Sequence, residues 1–240
     1  MKLQYISDLH ENYVFVKPIA DFIAVIGDIT SPFNPDYEKY LHYLSHNFRA
    51  VFVVMGNHEY YYTIFKNAES KMQDICNKFT NVFLLNNKSV LVNGILIVGS
   101  TLWSDINKDS FNYLNCKDFI KMDDRKKMTI RDYLQKHKES VNFIEEEVKK
   151  GYPTVILTHY APLNEMNGNR IHSPYSSGFS TDLSYINNET YKLYGADIRA
   201  WLSGHTHNCI SICRNKILYS SNCLGENNPR FNPERFIIVE

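Results

Sequence analysis

The sequence predicts an α/β layered fold. Three observations carry it. Short apolar runs alternate with helical stretches; several of those runs are continuous, as in strands covered on both faces; and polar clusters stand directly after them. A chain of 240 residues suits one domain, taken as residues 1–240, and is long enough to bury a large core.

In chain order, residues 3–7 and 22–26 read as strands. Residues 35–47 read as a helix with Tyr37, Leu41 and Leu44 on one face. Residues 51–55 are another buried strand and 63–79 a helix. Strands follow at 82–85 and 90–100, with Asn93-Gly94 suited to a turn. Residues 104–130 are polar and irregular, an insertion or long loop. Over 131–150, Leu134, His137, Val141, Ile144 and Val148 recur at helical spacing until Gly151 and Pro153 stop the helix. Residues 154–158 are a strand and 161–181 a Pro, Gly, Ser and Asn-rich loop. Residues 199–203, 210–213, 216–220 and 236–239 complete the β set.

Twenty-six basic and 26 acidic residues cancel, so nothing in the overall charge draws the chain to nucleic acid or anionic membrane. The run Lys121, Arg125, Lys126, Lys127 and Arg131 is interrupted by Asp118, Asp123, Asp124 and Asp132 and reads as a solvated face. The five cysteines, Cys76, Cys116, Cys209, Cys213 and Cys223, are too few and too odd for a disulfide framework. Cys209 and Cys213 are expected to be small buried apolar residues. The N-terminus lacks the apolar core of a signal peptide and no run is long enough to span a membrane, so a cytoplasmic location is expected.

The chemistry lies in the polar clusters. Asp8-Leu9-His10, Gly27-Asp28, Gly56-Asn57-His58-Glu59, His159 and Gly204-His205-Thr206-His207 each follow a predicted strand. Singly each has a plain reading: Asp8 and Asp28 suit turns, Asn57 a helix N-cap. Together, Asp8, His10, Asp28, Asn57, His159, His205 and His207 are too many donors for one four-coordinate structural zinc. They fit two metal ions sharing a carboxylate. Mixed imidazole, carboxylate and amide donors accept manganese, the first expectation, or iron, zinc or cobalt.

The ordered set D-x-H, G-D, G-N-H-E, a later His and G-H-x-H resembles the calcineurin-like metallophosphoesterase superfamily. Residues 101–105, 178–183 and 200–204 are similar to its bacterial-type branch, whereas 222–226 lack the Pro, Arg and Tyr common there. The resemblance implies a four-layer α/β/β/α sandwich of two mixed sheets flanked by helices. It implies that Asp8, His10 and His207 bind one ion, Asn57, His159 and His205 the other, and Asp28 bridges them. A hydroxide held between the ions attacks phosphorus, and His58 protonates the leaving oxygen or stabilises the transition state.

The implied substrate is a small phosphorylated or nucleotide-type molecule, either phosphomonoester or phosphodiester. A nuclease is the alternative, disfavoured by zero net charge. A non-catalytic scaffold is disfavoured by the complete residue set. Arg170, His172 and Tyr175 are candidate substrate contacts, with a solvated loop as the alternative. Tyr60, Tyr61 and Tyr62 line the pocket or pack in the core, Glu59 holds neighbouring groups in place, and His42, His46 and His137 are surface or packing residues.

Overall fold

In the computed structural model the backbone of residues 1–240 is described, with all side chains except those of Cys116 and Lys117. The elements run β1 (Lys2–Ile6), β2 (Phe22–Ile26), α1 (Pro35–Asn47), β3 (Ala50–Val54), β4 (Thr63–Ile64), α2 (Phe65–Cys76), β5 (Val82–Leu84), β6 (Lys88–Val92), β7 (Ile95–Ser100), α3 (Lys108–Tyr113), α4 (Cys116–Phe119), β8 (Ile120–Lys121), α5 (Ile130–Val148), β9 (Pro153–Thr158), β10 (Asp197–Ser203), β11 (Ser211–Arg214), β12 (Ile217–Ser221) and β13 (Phe236–Ile238). Local chemistry sets the helix starts. Asn34 caps α1 by accepting the Asp36 N–H at 3.0 Å, ahead of Pro35. Thr129 and Asp132 form a reciprocal capping box at α5. At the β6–β7 hairpin, Asn93 (φ 52°) and Gly94 (φ 78°) both take the left-handed conformation that a two-residue turn requires.

One sheet has the order β13-β1-β2-β3-β5, the other β11-β12-β10-β9-β7-β6. Their central strands are parallel, and β13, β11 and β6 pair antiparallel at the edges. Strand alternation sorts the side chains into layers. Leu3, Tyr5, Phe22, Ala24, Ile26, Phe52 and Val54 of the first sheet pack on Ile97, Val155, Leu157, Ala200 and Leu202 of the second. The intervening Ile23, Val25, Val51, Val53, Val98, Ile156 and Trp201 belong to a second cluster with Leu41 and Leu44 of α1, Met72 and Ile75 of α2, and Tyr133 and Ile144 of α5. The result is the expected sandwich of two mixed sheets flanked by helices.

The sequence expectations need two corrections. Residues 104–130 are not a bare loop: they contain α3, α4 and β8, and Ile120–Lys121 pairs with Thr63–Ile64, so α2 begins only at Phe65. Cys213 is exposed, because it points outward from the edge strand β11; Cys76, Cys209 and Cys223 are buried, all four are free, and the Cys116 side chain lies outside the described residues. Of the two readings of His137, packing holds: it is 8% exposed, with Nδ1 3.0 Å from Leu102 O. No described helix is long and apolar enough to cross a membrane.

Candidate metal centre

Asp8 and His10 follow β1, Asp28 follows β2, Asn57 and His58 follow β3, His159 follows β9, and His205 and His207 follow β10. These are C-terminal ends of parallel strands, the edge where open α/β sheets place ligands. The two sheets are tied together there. The His205 N–H donates to both Asp8 carboxylate oxygens at 3.0 Å.

The backbone is strained at these positions. Asp8 (φ 58°), His10 (45°), Asp28 (56°), His205 (63°) and His207 (53°) all lie in the left-handed region that non-glycine residues seldom adopt. Strain of this kind gathers where surrounding structure enforces it for a functional geometry. Gly27 (φ 81°) allows the close approach of β2 and β3, since a Cβ there would lie 2.6 Å from Gly56 N.

Among the described residues, three groups bring their donor atoms within 4.8 Å of one another: Asp8, His10 and His207; His10, Asp28 and His58; and Asp28, His159 and His205. His207 Nε2 is 3.5 Å from Asp8 Oδ1 and 3.0 Å from His10 Nε2. His159 Nε2 is 3.2 Å from Asp28 Oδ2 and 3.1 Å from Asn57 Oδ1. Asp28 Oδ2 also lies 3.9 Å from His10 Nε2 and 3.8 Å from His58 Nε2. Asp28 thus stands between two halves of the cluster.

The outward faces of the buried imidazoles are fixed. His159 Nδ1 lies 2.9 Å from Ile26 O, and His205 Nε2 lies 3.1 Å from Gly178 O. A carbonyl accepts only from N–H, so each ring, once neutral, turns its unprotonated nitrogen inward. That outward bond is the one that orients a metal-binding histidine.

The charges point the same way. Asp8 and Asp28 are 0% and 1% exposed, and among the described residues their ion-pair partners are all histidines. Burial alone would raise the Asp28 carboxyl; the imidazoles of His159, His58 and His10 overcome it and hold it well below 3.8. Burial pulls His159 down, but Asp28 reverses that and brings it to about 9. Burial, with the charge on His159, depresses His205 well below 6.5. Two buried carboxylates, neutral imidazoles and an amide oxygen are a donor set whose charge a divalent cation balances, displacing the proton on His159.

Glu59 supports this floor. Its carboxylate accepts N–H bonds from Asp28 at 3.0 Å, Gly56 at 2.7 Å and Ile29 at 2.9 Å. Burial and the neighbouring Asp28 push it up to about 7, against those donors. His58 stands at the rim with its side chain 44% exposed, and its N–H donates to Asp28 Oδ1 at 2.9 Å. Burial of the ring lowers the His58 pKa, and Asp28 counters in part. One relation was invisible in the sequence. Asn57 Nδ2 donates to Tyr61 Oη at 2.8 Å, which turns the amide oxygen toward His159, and the Tyr61 ring lies 4.5 Å from that of His58.

The other candidates are dispersed. Arg170 donates to Thr206 O at 2.7 Å and shares a polar cleft of about 680 Å³ with His207 and Arg230, the last not singled out by the sequence. His172 is exposed. Tyr175 stacks on Tyr113 at 4.1 Å, beside a separate shallow pocket. Tyr60 is buried against Phe65.

Comparison with known proteins agrees with this arrangement. Residues 1–209 match the family described as calcineurin-like phosphoesterase. An uncharacterized protein, L509, of Acanthamoeba polyphaga mimivirus is 32% identical over 277 residues, covering 99% of this chain and 96% of its own. The fold is similar to that of phosphopantetheinyl hydrolase from Mycobacterium tuberculosis (TM-score 0.70, 17% identity, covering 93% of this chain and 89% of that one). It is also similar to TT1561 of Thermus thermophilus (TM-score 0.60, 14% identity, 92% and 88% covered).

Proposed function

Since the chain belongs to the calcineurin-like phosphoesterase family, we propose that it hydrolyses a small phosphomonoester or phosphodiester with two divalent ions, manganese first, held by the strand-end cluster. Asp8, His10 and His207 would hold one ion, Asn57, His159 and His205 the other, and Asp28 would serve both. The observation that carries this reading is the pair of buried carboxylates whose ion-pair partners, among the described residues, are histidines alone. The free cysteines Cys76, Cys209, Cys213 and Cys223 suit a reducing cytoplasm.

Ions bound there would supply activation of water and would offset the charge developing on the phosphoryl oxygens. The chain's own residues do the rest. Glu59 fixes the backbone amides of Gly56, Asp28 and Ile29, and so the approach of β2 to β3. Tyr61 fixes the rotation of the Asn57 amide. His58 protonates the leaving oxygen or stabilises the transition state: it stands at the open rim, with Nε2 3.8 Å from Asp28 Oδ2.

The test is hydrolysis of p-nitrophenyl phosphate and bis(p-nitrophenyl) phosphate with Mn²⁺. Turnover is expected, and His58→Ala should lower kcat by about 10²–10⁴-fold with unchanged metal content. Metal-replete protein inactive on both esters contradicts the reading. Equal metal loss in His58→Ala and Asp28→Ala contradicts the role of His58.

A further inference from the structure

Two cavities reach the cluster, one at His207 and the other at His10 and His58. The cleft beside His207 holds Arg170 and Arg230, with Glu226 as its acid. The pocket beside His58, about 360 Å³, is lined by His10, Glu11, Thr30, Tyr61 and Tyr62, with no Lys or Arg in its wall. That volume falls in the roughly 300–1,000 Å³ range of small-molecule sites.

The aromatic wall of this pocket is held in place by distant residues. Tyr62 has φ 60°, an outlier for a bulky side chain, and remains 81% exposed. Its N–H donates to Phe119 O at 2.7 Å, and the next two residues pair with Ile120–Lys121. The Phe119 ring lies 4.9 Å from Tyr61 and 5.5 Å from Tyr62. Residues 104–130 thus brace an exposed tyrosine beside His58 whose backbone lies in a sparsely populated region. The facing wall is polar: Thr30 Oγ1 donates to Glu11 Oε1 at 2.9 Å.

Resting on the phosphoesterase reading, we propose that the Tyr61–Tyr62 pocket is the leaving-group subsite and takes a neutral alcohol bearing a planar aromatic group, of nucleoside type. The direction follows from His58, which borders this pocket and not the arginine cleft. Aromatic faces stack bases without regard to sequence. The hydroxyl and carboxylate wall suits sugar hydroxyls, and Glu11 repels an anionic leaving group. In the step, a water oxygen bonds to phosphorus and gives up a proton to solvent, the bond from phosphorus to the alcohol oxygen breaks, and that oxygen takes the His58 proton, which solvent then restores. The products are the free alcohol and a phosphate that stays on the arginine side.

The matched probes are adenosine 5′-monophosphate and ribose 5-phosphate, which lose the same primary alcohol oxygen and differ in the base. Wild-type protein with Mn²⁺ should favour the nucleotide in kcat/KM by about tenfold, and Tyr62→Ala should reduce that preference by roughly fivefold. Adenosine alone should bind the Mn²⁺-loaded protein in a calorimeter, and Tyr62→Ala should weaken it by a similar factor with unchanged Mn²⁺ content. Equal kcat/KM for the two probes, or adenosine binding untouched by Tyr62→Ala, overturns the subsite and leaves the phosphoesterase reading standing. Hydrolysis of neither probe nor of p-nitrophenyl phosphate overturns both.

Discussion

The two halves of the cluster are built differently. Around Asp28, the residues Asn57, His159 and His205 are all buried, and the two imidazoles are locked from behind by Ile26 O and Gly178 O. Around Asp8, the side chains of His10 and His207 are 23% and 31% exposed, and their Nε2 atoms meet at 3.0 Å. The first half is fixed by buried contacts; the second is finished at the surface. Preorganised donors lose less freedom on binding, so the buried half should bind its ion more tightly and exchange it more slowly.

The largest effect expected from this contrast is on metal affinity. His159→Ala should weaken the tighter of two Mn²⁺ sites by more than the roughly 10–100-fold attributed to an outer partner. His207→Ala should lose the weaker ion and spare the tighter one. Loss of both ions together in His207→Ala would break the contrast, as would a single-phase release to a chelator from wild-type protein.

A second effect concerns the floor beneath the buried half. Glu59→Ala strips acceptors from three buried N–H groups, each worth about 1–3 kcal/mol when left unmade. Urea unfolding of the metal-free protein should show a loss of about 2–4 kcal/mol, with water filling part of the gap. A change below about 0.5 kcal/mol would mean that Glu59 does not hold the site together.

The smallest effect lies outside both halves and serves as a control. Burial lowers the pKa of His137 below 6.5, against the pull of Leu102 O. The unfolded chain therefore binds the proton that the folded chain refuses. Stability should be complete above pH 6.5 and decline as pH falls from there to the lowered folded value. Unfolding of His137→Gln across that window should show a shallower decline than wild type. An unchanged slope would place the titration elsewhere.

What was legible in the sequence was local. Phe22–Ile26 and Pro35–Asn47 match the bounds read from the sequence, because a continuous apolar run and the one-faced spacing of Tyr37, Leu41 and Leu44 are short-range signals. The polar clusters could be placed after strands because parallel strands deliver their C-terminal ends to one edge. What failed to read was long-range. Thr63–Ile64 is a strand only through Ile120–Lys121, 57 residues on, and the polar composition of 104–130 gave no sign of the pairing. His159 meets its carbonyl 133 residues away at Ile26, and Tyr175 turned out to stack on Tyr113. Residue type reveals a donor, but the partner that aims it belongs to the fold.

Asp28 joins the two halves, and its removal tests the central claim most directly. Calorimetric titration with Mn²⁺ should give two ions per chain for wild type. For Asp28→Ala it should give neither at wild-type affinity, because both halves lose the same carboxylate. Two ions still bound tightly in Asp28→Ala, or none bound by wild type, would contradict the account.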